Sequence, residues 1–199
     1  MKTLKIYFLM FVLLVSPVYA EDEGPLSLVR QTADEVLRQV TVHKASLELD
    51  SSGIYIIVNN YVLPHFDFAY MTRSAVGRYW RKASPEQQAQ LENEFSRLLV
   101  RTYGVALLNY SGQEIVYKPL RESVDSDRVM VETFIAESAG GPQIPVNYRL
   151  KKGENGWKVY DVVIDGVSLV SNYRSTFASQ IRRGGIGGLI SQLVERNKS

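Results

Sequence analysis

The chain has 199 residues, with 23 Lys and Arg against 21 Asp and Glu, two His and no Cys. Without cysteine there is no disulfide framework, and two imidazoles alone offer almost nothing to a zinc or haem site, so a packed core must supply the stability. The length suits one domain, and basic residues scattered along the chain rather than striped argue against nucleic-acid binding.

Met1 to Ala20 reads as a cleaved secretory leader. Lys2 and Lys5 precede an apolar run, Ile6 to Val15, of about ten residues, and Val18-Tyr19-Ala20 places small residues at a cleavage site. The run is well short of the ~20 residues that span a bilayer. Loss of Lys2 and Lys5 leaves 21 cations against 21 acids, a neutral mature chain expected to form one domain over 21–199.

Leu26, Val29, Ala33, Val36, Leu37 and Val40 recur at helical spacing and predict an amphipathic helix over 25–42. From Ile54 to Trp80 the chain is apolar almost all round and is read as two or three short buried helices broken at Leu63-Pro64. Ser84-Pro85-Glu86-Gln87 is a capping box with proline at the first helical position, opening a helix expected to reach about Leu108. Four strands follow, at 115–117, 129–136, 144–151 and 157–164, joined by turns at 123–127, 139–142 and 153–156. Such short connections predict an antiparallel meander. Two helices over 166–183 and 186–196 close the chain, with Gly184-Gly185 between them as a stop and hinge. N-terminal helices, a four-stranded antiparallel curved sheet and C-terminal helices make an α+β fold.

Catalytic signals are sparse. His43 and His65 sit in different segments and the sequence marks no general-base pairing for either, no Ser occupies a Gly-x-Ser-x-Gly elbow, and the glycine run 184–188 lacks the spacing and Lys of a phosphate loop. Asp161 and Asp165 bracket the end of the last strand, where an isomerase or hydratase could hold a base. Capping of the following helix explains Asp165 without chemistry. No single-sign patch or exposed apolar run marks a docking surface.

Several segments carry a resemblance. Gly77-Arg-Tyr-Trp-Arg81 with Ser84-Pro-Glu-Gln87, Leu99-Val-Arg-Thr-Tyr103, Tyr148-Arg-Leu150, Gly156-Trp-Lys-Val-Tyr-Asp-Val162, Gly166-Val-Ser-Leu-Val170 and Asn172-Tyr-Arg174 resemble the MlaC (toluene-tolerance) family, in order and over nearly the whole mature chain. Asp165 stands where that family usually has Glu, and Gly187 where it often has an acid. Its members are periplasmic phospholipid carriers of Gram-negative bacteria. The resemblance implies an NTF2-like cone, an apolar cavity between the concave sheet face and the helices, and phospholipid as cargo with weak headgroup selectivity. It also implies an outer-membrane lipoprotein complex and an inner-membrane ABC transporter complex as partners, with no cofactor, no metal and no enzymatic activity. The residues expected to line the cavity are Val131, Val146, Tyr148, Leu150, Val159, Val162, Val167, Leu169 and Phe177. A monomer is expected. Two other readings stay open: an NTF2-like isomerase or hydratase of a small apolar substrate using Asp161 or Asp165, and a scaffold protein with a filled core.

Overall fold

The structure, a computed structural model, describes residues 24–121, 126–136 and 142–198. The expected leader lies outside them, as do most of the turns expected at 123–127 and 139–142. Helix α1, Pro25–Val42, begins with proline in its first turn and buries Leu28, Val29, Val36 and Val40. A short helix α2, Lys44–Leu49, follows. Pro64 breaks the apolar stretch as its ring chemistry requires: α3, Gly53–Tyr61, ends before a 3-10 turn at Leu63–His65, and α4, Phe68–Val76, starts where the Asp67 carboxylate accepts from the Tyr70 amide at 2.8 Å. A second 3-10 segment covers Gly77–Lys82.

Helix α5, Pro85–Gly104, carries the complete capping box: the Gln87 amide donates to Ser84 Oγ at 3.2 Å, and the Ser84 amide to Gln87 Oε1 at 3.1 Å. It reaches Gly104 and then tightens into a 3-10 turn, Val105–Asn109. The sheet follows in chain order: β1 Glu114–Tyr117, β2 Arg128–Ala136, β3 Gln143–Gly153, β4 Gly156–Ile164 and β5 Val167–Ser168, with every neighbouring pair antiparallel. It has five strands, not the four expected. The fifth arises because Asp165 (φ 49°) and Gly166 (φ 78°) form a two-residue hairpin turn with both φ positive, for which Asp-Gly is a favoured pair. Nothing lies within 4 Å of a Cβ placed on Gly166, so Gly166→Ala costs only backbone strain. That is about 1 kcal/mol, expected as a fall of about 2–4 °C in Tm in a thermal melt.

Helix α6, Leu169–Lys198, is two helical halves joined at Gly185, whose φ of 69° and ψ of −176° suit glycine alone. The first half begins at Leu169 and not at the expected 166, because the Asp165-Gly166 turn and β5 take the residues before it. The second half is anchored. Leu189 and Leu193 are buried against α5, and the Arg101 guanidinium donates to the Arg196 carbonyl at 2.7 Å. Phe95 of α5 meets Tyr173 and Phe177 of α6 edge-on, with ring centroids 5.0 and 5.1 Å apart. Among the described residues no helix is long and apolar enough to cross a membrane.

One irregularity sets the geometry of the sheet. The β3–β4 register runs Tyr148↔Val162 and Arg149↔Asp161, then Leu150↔Val159, so Tyr160 is an extra residue, a β-bulge. Strict alternation would put Val159 and Val162 on opposite faces. With the bulge they share one.

An uncharged cavity between the sheet and the helices

The concave face of β2, β3 and β4 is apolar because alternate residues there are Val, Ile, Leu and Tyr. It does not close flat against the helices. A cavity of about 470 Å³ remains between the sheet and a layer formed by α1, α3, α4 and the end of α5. Leu28, Ala33 and Leu37 of α1, Val58 of α3, Phe68 and Met71 of α4 and Leu99 and Tyr103 of α5 form the helical wall. Ile115, Ile135, Ile144 and Ile164 extend the sheet wall towards its strand ends. Lining residues exposed to solvent are Ala106, Asn109 and Ile144, which places the mouth between the turn after α5 and the β2–β3 edge.

No Asp, Glu, Lys or Arg lines this cavity among the described residues. Its polar groups are few: Thr32, His65, Asn109, Gln113 and the phenols of Tyr103, Tyr110 and Tyr148. Such a chamber excludes water by its apolar walls and holds no charge to anchor an ion. Tyr148 borders the open space from deep within the protein, and burial, assisted by repulsion from Tyr117, pushes its phenol up to about 12. Burial likewise takes Tyr117 to about 12, with Asp34 adding to the rise and Arg30 opposing it. Between pH 10 and 12 the folded chain therefore keeps protons that the unfolded chain releases. Stability present below pH 10 is lost as pH rises through that window. An alkaline melting series should show the fall, and Tyr148→Phe should make it shallower.

The nine residues expected from sequence divide in two. Val146, Tyr148, Val159, Val162 and Leu169 lie on the cavity wall. Val131, Leu150, Val167 and Phe177 do not. Val131 and Leu150 share the concave face but sit further along the strands, each 0% exposed in the packed layer with Leu28 and Val129 that closes the cavity floor. Val167 is 55% exposed on the edge strand β5, and Phe177 belongs to the separate α5–α6 core. Only Leu169 of α6 touches the cavity, so the Gly185 kink lies outside its wall.

Neither candidate carboxylate enters the cavity. Asp165 is exposed in the hairpin turn and caps nothing. Asp161 is buried on the opposite face of β4, where its oxygens accept from Ser168 Oγ at 2.6 Å, the Val170 amide at 3.1 Å and Arg149 at 3.1 Å. Ser168, whose Oγ accepts from the Ser171 amide, and Asp161 together cap α6, the role expected of Asp165. A base for a substrate in the cavity is therefore absent at both positions.

The fold and the chamber define a class: an α+β domain that encloses an apolar, charge-free space reached from one end. The MlaC protein family signature matches residues 30–195, and the chain belongs to that family. It is 27% identical over 190 residues to the intermembrane phospholipid transport system binding protein MlaC of Haemophilus influenzae, covering 94% of this chain and 89% of that one. It is 30% identical over 164 residues to the toluene tolerance protein ttg2D of Pseudomonas putida, covering 82% and 75%. A solved structure of a phospholipid-binding protein from Ralstonia solanacearum, in complex with a phospholipid, superposes with a TM-score of 0.82 at 36% identity over 88% of this chain and 97% of the other.

Proposed function

We propose that this protein is a periplasmic phospholipid carrier, one domain from about residue 21 onward, that takes lipid from an outer-membrane lipoprotein complex to an inner-membrane ABC transporter complex or the reverse. The observation that carries the reading is the uncharged apolar cavity of about 470 Å³. Exposing two acyl tails of roughly 30 methylenes to water costs on the order of 20 kcal/mol, at ~0.8 kcal/mol each. A carrier must keep the tails dry and can leave the headgroup wet at the mouth. The absence of Asp, Glu, Lys or Arg from the described wall fits a cargo held by its tails, with weak headgroup selectivity. The phospholipid named for the Ralstonia solanacearum neighbour and the transport system named for the Haemophilus influenzae relative support the same cargo. The leader-like residues 1–20 and the family support export to the periplasm.

Native mass spectrometry of the protein purified from its periplasm, followed by lipid extraction, tests this. Stoichiometric phospholipid is the expected result. A bare polypeptide mass with no lipid recovered would overturn it.

A further inference from the structure

Two stretches of the chain lack acids altogether. Residues 68–85 hold Arg73, Arg78, Arg81 and Lys82 with no Asp or Glu, and residues 166–194 hold Arg174, Arg182 and Arg183 with none. They are far apart in sequence, but α4 and the 3-10 segment Gly77–Lys82 pack against the first half of α6. All seven cations are exposed, and none is ion-paired among the described residues. Two specific contacts tie the stretches together. Arg78 donates to the Tyr79 hydroxyl at 3.0 Å and, with a smaller contribution from Arg182 of α6, holds that phenol below its usual range, and Arg174 donates to the Ser74 carbonyl at 2.7 Å. Tyr79 and Trp80 lie half-buried among them, their rings packed on the α5–α6 core.

The remainder of the chain has the opposite sign. Setting these seven aside leaves 16 Lys and Arg against 21 Asp and Glu. A nearly neutral protein thus carries one basic corner, contrary to the sequence reading that no single-sign patch stands out.

We propose that the Arg73–Lys82 and Arg174–Arg183 corner is a docking surface for an acidic protein face. Six of its seven cations are arginines, whose forked guanidinium pairs with two carboxylate oxygens at once, and Arg, Tyr and Trp are the residue types that dominate protein–protein binding energy. A bilayer is the weaker fit. Val167, at the start of the second stretch, is the one exposed large apolar residue in either. None lies within 73–82 or 174–183, so the cations themselves have no apolar group beside them to insert below the headgroups. The surface also leaves the cavity mouth open: of the two stretches only Phe68, Met71 and Leu169 reach the cavity wall. It rests on the carrier reading for the need to dock, and adds where docking occurs and with what chemistry.

The test compares the full mature chain with an Arg78→Glu/Arg81→Glu/Arg182→Glu variant by NMR, using a polyglutamate peptide as the acidic probe. Vesicles of phosphatidylglycerol and phosphatidylethanolamine are sedimented with each protein in parallel. Amide shifts confined to 73–82 and 174–183, at least about tenfold weaker binding in the variant, and no pelleting with vesicles are expected. Shifts spread elsewhere, or unchanged by the charge reversal, would overturn the proposal. Vesicle pelleting that the variant abolishes would make a lipid surface the occupant in place of a protein. Should the triple variant unfold, Arg81→Gln/Lys82→Gln, at positions with no hydrogen-bonding role, replaces it. Lipid content by native mass spectrometry is read on the same samples. A lipid-free wild type would defeat the carrier reading while leaving the docking result to stand or fall by itself.

Discussion

Val146→Asp is expected to leave the protein folded and empty of lipid. Val146 is 8% exposed on the cavity wall and faces open volume, so water can follow the carboxylate into the chamber instead of leaving it desolvated. A charge there must then be stripped of water by any incoming tail, at a cost of at least about 3 kcal/mol, or roughly a hundredfold in affinity. Co-purifying lipid measured by native mass spectrometry should disappear while circular dichroism is retained. Leu150→Asp should behave differently, although Leu150 points to the same face. It is 0% exposed in the closed floor, with no adjacent void, and was expected from sequence to be part of the pocket. An unpaired carboxylate there costs several kcal/mol, a large share of a total stability of about 5–15 kcal/mol. Loss of the folded state is expected, not a folded lipid-free protein. A folded, lipid-loaded Val146→Asp variant would remove that position from the binding surface.

The second large effect concerns Asp161. Its carboxylate ties β3 through Arg149, β5 through Ser168 and the start of α6 through the Val170 amide, and it is 3% exposed. Asp161→Ala strands the buried Val170 amide and leaves the Ser168 hydroxyl without this acceptor, while the half-exposed Arg149 guanidinium turns to water. Leaving that buried amide unsatisfied and losing the accompanying bonds costs about 2–3 kcal/mol, expected as a fall of roughly 5–10 °C in Tm. Lipid content at low temperature should be unchanged, because the cavity lies on the other side of the sheet. If Asp161→Ala emptied the cavity without lowering Tm, the residue would belong to the site after all.

Much of the fold is legible in the residues. The Ser84–Gln87 box and Pro64 act through local backbone chemistry, so they set α5 and the α3–α4 break wherever the segments later pack. The strands show by alternation, and the resemblance carried by segments such as Gly77–Arg81 and Gly156–Val162 pointed to the family. The site was less legible. Alternation tells which face a strand residue takes but not how far along the strand the helices close over it. Val146 and Leu150 therefore looked equivalent, yet one borders the void and the other the floor. Phe177, expected on the cavity wall, is buried in the α5–α6 core, because helical spacing does not say which of two interiors a residue faces. Strand β5 is two residues long, too short for any period, and its Asp165-Gly166 turn was read as the start of a helix. The wall contributed by α1 and the four strand-end isoleucines carried no mark distinguishing it from ordinary core. The basic corner arises only when stretches about a hundred residues apart meet, which scanning along the chain cannot detect.

The extra residue at Tyr160 lies outside the pairing that sets the faces of β4. A different side chain at 160 trades the outward contacts of this ring, edge-on with Tyr70 and beneath the Arg128 guanidinium, for others. Deleting the residue removes the bulge but leaves Val159, Asp161 and Val162 in strict alternation opposite Leu150, Arg149 and Tyr148. Val159 and Val162 would then keep the chamber face and Asp161 the helix it caps, and only the added bend and twist of the bulge would be lost. Position 160 should therefore accept deletion as well as substitution with the cavity wall kept: the pairing with β3 counts past Tyr160.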